Sequence, residues 1–85
     1  MRVLKFDIGS AEPHDVDIDM RPGIALALGV QRLSQIVMWA EQDMDSPFRV
    51  RHFNTYYTGD DVPDWYTYVG TVTVTGLVVH VYEHR

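Results

Sequence analysis

Asp15-Val16-Asp17-Ile18-Asp19-Met20 shows most plainly how this chain folds. Three carboxylates alternate with three apolar side chains. An extended backbone points successive side chains to opposite faces, so Val16, Ile18 and Met20 fall on one side of a sheet and the aspartates on the other. The segment predicts a strand with one wet and one dry face.

The rest of the chain repeats that theme. Upstream, Leu4, Phe6 and Ile8 alternate with Val3, Lys5 and Asp7, a first strand, and residues 9–13 have turn composition before a second strand at 14–20. Downstream, Arg21-Pro22-Gly23 breaks the chain, because Pro22 lacks an N–H and Gly23 tolerates positive φ. Residues 24–30 are rich in Ala and Leu, which suits a helix. Leu26, Leu28 and Val30 nevertheless share a face at period two and Gly29 weakens a helix end, so a strand is expected. A short polar hairpin at 31–34 leads to a strand at 35–43, where residues 36–40 are consecutively apolar. Such a run belongs to a strand covered on both faces or to a buried interface. Asp45-Ser46-Pro47 turns the chain into a long strand at 48–57, and 58–64 is the longest polar loop. Strands at 66–75 and 77–84 meet around Thr75-Gly76, a tight hairpin signal. The expected architecture is a single β domain over residues 1–85, all-β, with six to seven antiparallel strands in a meander. These would curl into a small sandwich or a half-open barrel. So small a sheet leaves unpaired edges, and pairing with another copy is one way to cover them, so a homo-oligomer is expected.

Composition narrows the function classes. A chain of 85 residues buries only about 60–65% of its unfolded surface. The absence of cysteine removes disulfides, Cys-ligated zinc, iron–sulfur clusters and thiol catalysis. The first residues show no signal-peptide pattern, and no apolar run approaches the roughly 20 residues that cross a bilayer, so a cytoplasmic, non-membrane protein is expected. A formal charge of −5 argues against duplex nucleic acid and other long polyanions, whose binders present a basic face. Arg49 and Arg51 form a local basic island, within reach of a small anion.

Candidate chemistry is sparse. The row Asp15, Asp17, Asp19 lacks the glycine turn and distal glutamate of a calcium loop and reads as a solvated face. Asp60, Asp61 and Asp64 lie in a loop with better geometry for a hard cation, but no further oxygen-rich pattern completes a site. His14, His52, His80 and His84 are not spaced as a zinc pair, and His80 and His84 lie about 13 Å apart on one strand face. Triad, phosphate-loop and deaminase signatures are absent, so neither catalytic residues nor a cofactor or metal is expected. The segment from Arg49 to Tyr68 differs in character. Arg49, Arg51, His52, Tyr56, Tyr57, Thr58, Gly59, Trp65 and Tyr66 combine guanidinium groups for phosphate with rings that stack on a base and with a hydroxyl and backbone amides that orient both. The plainer explanation is that aromatics favour strands and half of them face inward.

The pattern as a whole resembles a family of small uncharacterised proteins of bacteriophages and prophages. It is carried by Ile18-Asp19-Met20 with Pro22-Gly23, Gln31, Met38-Trp39-Ala40 with Asp43, and Arg51 with Phe53. The closing part, Thr58-Gly59, Tyr68-Val69-Gly70-Thr71 and Val79-His80-Val81-Tyr82-Glu83, is the most specific. Members usually carry Gly-Thr-Gly-His where this chain has Tyr57-Thr58-Gly59-Asp60, so no role of that histidine transfers. The resemblance implies an accessory protein of the host-cell cytoplasm that counters host defence. Two forms of that role are expected: sequestering a nucleotide immune signal without turnover, or inhibiting a host enzyme through a sheet edge and the 58–65 loop. A phosphodiesterase using His52 or His80 is the enzymatic rival.

Overall fold

The structure is a computed structural model and describes residues 1–84. Seven strands follow one another: β1 (Arg2–Gly9), β2 (Asp15–Met20), β3 (Ala25–Gln31), β4 (Gln35–Gln42), β5 (Arg49–Tyr57), β6 (Thr67–Val74) and β7 (Leu77–His84). They form two antiparallel sheets, ordered β1-β4-β3 and β2-β5-β7-β6, stacked as a small open sandwich. The expected all-β class and strand number hold. Strand order departs from a pure meander, since only β3–β4 and β6–β7 are hairpins of sequence neighbours within a sheet. The reason is the one-sidedness of the strands themselves. Most have a single dry face, which is buried best against an opposite layer, so the chain changes sheet after β1, β2 and β4.

The turns at 9–14 and 21–24 make the first two changes. His14 staples the former, with Nδ1 2.6 Å from the Glu12 carbonyl and Nε2 2.8 Å from that of Ile8, while its backbone N–H donates to the buried Thr55 hydroxyl at 2.9 Å. At the latter, Gly23 has φ 154° and passes so close beneath β4 that a Cβ there would lie 1.7 Å from the Glu41 carbonyl oxygen. The crossing is fixed by Glu41 N–H donating to Ile24 O at 2.9 Å and Asp43 N–H donating to Pro22 O at 2.8 Å. Only glycine fits there.

Between the sheets lie Ile8, Met20, Ile36, Met38, Ala40, Phe53, Val74, Val79 and Val81. The consecutive apolar run falls on β4, the middle strand of its sheet: Ile36, Met38 and Ala40 enter the core, while Val37 is buried on the other face and Trp39 stands over Gly29 of β3. Register assigns the faces of the larger sheet. Val16 pairs with Phe53 and Ile18 with Arg51, and Phe53 in turn pairs with Glu83. Antiparallel partners share a face, so Arg49, Arg51, Phe53, Thr55 and Tyr57 belong to the dry side of β5. His52, Asn54 and Tyr56 belong to the wet side with the aspartates of β2.

Candidate functional site

β5 carries most of the expected site, and its pleat and length divide those residues. Arg51 points inward at the rim of the sandwich. Its Nε donates to Glu83 Oε2 and its Nη2 to Glu83 Oε1, both at 2.7 Å, while Nη1 donates to the Gly23 carbonyl at 3.0 Å. The two side chains are only 17% and 13% exposed, and the guanidinium also lies over the Phe53 ring, 5.6 Å from its centroid. A bidentate pair of this kind saturates the fork of the arginine, so Arg51 is a clamp between β5, β7 and the β2–β3 turn rather than a free anion receptor. Arg49, one dry-face step away, is exposed and has no carboxylate partner among the described residues.

Both arginines border a cleft of about 570 Å³ lined by Met20, Pro22, Gly23, Arg49, Val50, Arg51, His52, Glu83 and His84. On its wet side His52 Nδ1 donates to Asp17 Oδ1 at 2.6 Å. From there a row of rings leads outward. The His52 and His84 centroids are 6.0 Å apart, His84 and Tyr66 lie 4.7 Å apart at 31°, and Tyr66 meets Trp65 edge-on at 6.0 Å. Arg49, Arg51, His52, Trp65 and Tyr66 are thus gathered at one end of the sheet.

Tyr57, Thr58 and Gly59 are at the other, and Tyr56 lies between the two groups, its hydroxyl in the neighbourhood of that of Tyr66. Eight residues of strand separate Arg49 from Tyr57, about 26 Å at 3.3 Å per residue. Tyr56 lies on the wet face and Tyr57 packs against the core. Tyr82 is the centre of a second ring group, edge-on to Tyr56 at 5.8 Å and to Tyr68 at 5.4 Å. The Thr58 hydroxyl is 2.8 Å from His80 Nε2. His80 Nδ1 is 2.9 Å from the Thr71 hydroxyl, which in turn is 2.6 Å from that of Tyr68. This chain of polar groups fastens the start of the loop to the sheet. Gly59 turns with φ 96°, and the turn closes on itself as Tyr57 N–H donates to Asp60 Oδ2 and Asp60 N–H to Tyr57 O. The loop start therefore hugs its own end of the sheet and does not close over the arginine cleft.

The two ends differ in charge. A hollow of about 520 Å³ near Tyr56 is bordered by Asp15, Asp60 and Asp61. Burial, then the neighbouring Tyr66, Asp15 and Asp60, push the Tyr56 hydroxyl above the ordinary tyrosine range. In the β4–β5 turn, Asp43 is held below the usual carboxylate range by the Ser46 hydroxyl at 2.7 Å and then by the Asp45 N–H at 3.1 Å. Among the described residues no group of three or more His, Asp or Glu is placed to hold a metal ion, and no helix is long and apolar enough to cross a membrane.

Sequence reasoning missed His84, Glu83 and the Met20–Gly23 wall of the cleft. The period-two spacing of His80, Tyr82 and His84 marks a polar face on β7. The register that sets Glu83 beside Phe53, and so within reach of Arg51, joins residues some thirty positions apart and leaves no local trace.

A family described as a domain of unknown function, DUF7352, matches residues 1–85, and the chain belongs to it. No curated protein and no solved structure matches the chain.

Proposed function

We propose that the chain is a non-catalytic binding protein that holds a small anion of nucleotide size in the arginine cleft. The observation that carries this reading is the guanidinium of Arg49, without a carboxylate partner among the described residues, at a cleft of about 570 Å³, on a chain whose formal charge is −5. The volume falls within the roughly 300–1,000 Å³ typical of small-molecule sites. A phosphate would sit against Arg49 with an imidazole N–H from His84, and a base would stack on Tyr66 or Trp65 at the end of the ring row. The Arg51–Glu83 clamp would hold the Gly23 wall in place. Tight binding without turnover needs no nucleophile–base pair. The resemblance to bacteriophage and prophage proteins supports a nucleotide immune signal as the ligand and sequestration inside the host cell as the role.

Calorimetry against cyclic di- and trinucleotides and cyclic ADP-ribose isomers tests this. The expected result is a Kd of about 1 µM or tighter for one of them. Arg49→Ala should weaken it by about 10- to 100-fold, the loss of one charge-assisted contact. Absence of binding across the panel overturns the reading.

The exposure of Trp65, 65% at the end of the loop, favours a second reading, in which the 58–65 loop and a sheet edge dock on a host enzyme and inhibit it. Capture of one stoichiometric host protein that Trp65→Ala abolishes, with no small ligand bound, would select this over the first.

A further inference from the structure

The two long sides of the sandwich are built from different chemistry. One is formed by the edge strands β1 and β2, which carry Arg2, Lys5 and Asp7, and Asp15, Asp17 and Asp19. The other is formed by the edge strands β3 and β6, stacked against each other so closely that a Cβ on Gly70 would lie 2.9 Å from Leu28 Cδ1. Residues 24–31 and 66–75, which supply that side, contain no Asp, Glu, Lys, Arg or His. An uncharged edge presents unpaired N–H and C=O groups to any chain that approaches, and charged side chains are the common means of preventing this. Here the means is applied to one side only.

We propose that the β3–β6 side is the surface on which a second copy of this chain docks, β6 pairing antiparallel with β6 of its partner. The occupant follows from charge. Copies of a chain with net charge −5 repel one another, and a two-fold axis sets each edge strand against itself. β2 against β2 would face aspartate with aspartate, which is destabilising. β6 against β6 faces threonine and valine with their like, side chains that favour sheets. A register shift between Tyr68 and Gly70 interrupts the regular pleat of β6 there. The paired run is therefore Gly70–Val74, centred on Val72. Ile24, Leu26 and Val30, exposed on the neighbouring β3 side, add apolar area beside the joined strands. The paired run Gly70–Val74 contributes no residue to the lining of the anion cleft.

Sedimentation equilibrium from about 1 to 100 µM, the range over which moderate dimers dissociate, tests the inference together with a charge swap. Thr73 is exposed on β6, faces the partner's Thr71 across the proposed junction and lies diagonal to the partner's Thr73, within reach of a long side chain. The native chain should be dimeric in this range. Thr73→Lys and Thr73→Asp should each raise the dissociation constant at least tenfold, and an equimolar mixture of the two should restore a heterodimer. Asp19→Lys, on the opposite side, should leave the native dimer unchanged. A native chain that stays monomeric to 100 µM overturns the inference. So does a dimer indifferent to both Thr73 variants, or a mixture that fails to associate although each variant keeps its β-sheet circular dichroism.

Discussion

The two faces of β5 are made from adjacent residues yet obey different rules. On the dry face Phe53 is fully buried and Arg51 is tied to both Glu83 and Gly23, so each side chain is fixed by partners far away in sequence. On the wet face the partners stand in the open: His52 meets Asp17 and His84, Asn54 meets Asp15, and Tyr56 meets Tyr82. The lesson is that an arginine's position in the pleat decides whether it serves the fold or a ligand. Arg51 serves the fold. Arg49 reaches solvent only because the sandwich ends beside it.

Substitutions can break that comparison, and the largest effect belongs on the dry side. Phe53→Ala should cost about 3–5 kcal/mol in denaturant unfolding, enough to bring so small a domain close to unfolding. Arg51→Ala, which leaves the Glu83 carboxylate mostly buried and unpaired, should cost about 2–3 kcal/mol, while Arg51→Met combined with Glu83→Met should recover most of that loss. A double variant no more stable than Arg51→Ala would remove the clamp argument. Tyr82→Ala, at the centre of the wet-face ring group, should cost about 1 kcal/mol. A cost matching Phe53→Ala would erase the distinction between the faces.

Two titrations sharpen the picture at the small end. The Tyr56 hydroxyl is raised, so its contribution to stability is present below the unfolded tyrosine value near 10 and is lost as pH climbs through the folded one. Ultraviolet titration should show a late-ionising phenol that disappears in Tyr56→Phe. Asp43 is depressed, so its contribution is present above the unfolded carboxylate value near 4 and is lost as pH falls through the folded one. The gap in Tm between the native chain and Asp43→Asn should be small at pH 6 and should close as pH is taken below 4.

Local pattern carried the strands and failed at their assembly. The alternation at 15–20 gave β2 its faces, Thr75-Gly76 marked the β6–β7 hairpin, and the apolar run 36–40 marked a strand, β4. These are properties of neighbouring residues. That β1 pairs with β4 and β2 with β5 depends on which dry faces meet across the core, which no single segment encodes. The same gap explains the site. Arg49, Arg51, His52, Trp65 and Tyr66 do gather, because residues at the start of β5 and before β6 meet through His84 at the end of β7. Tyr57, Thr58 and Gly59, six to ten positions after the arginines in sequence, lie towards the far end of β5.

The strand order also bears on how the chain reaches its native state. β1 has no partner until residues 35–42 are in place, and β2 none until residues 49–54 arrive. Only the β3–β4 and β6–β7 pairings form from nearby segments. With loop closure preceding most of the rewarding contacts, refolding should take milliseconds to seconds rather than microseconds. The two hairpins would be the earliest ordered pieces, each waiting for a first or second strand that was made before it.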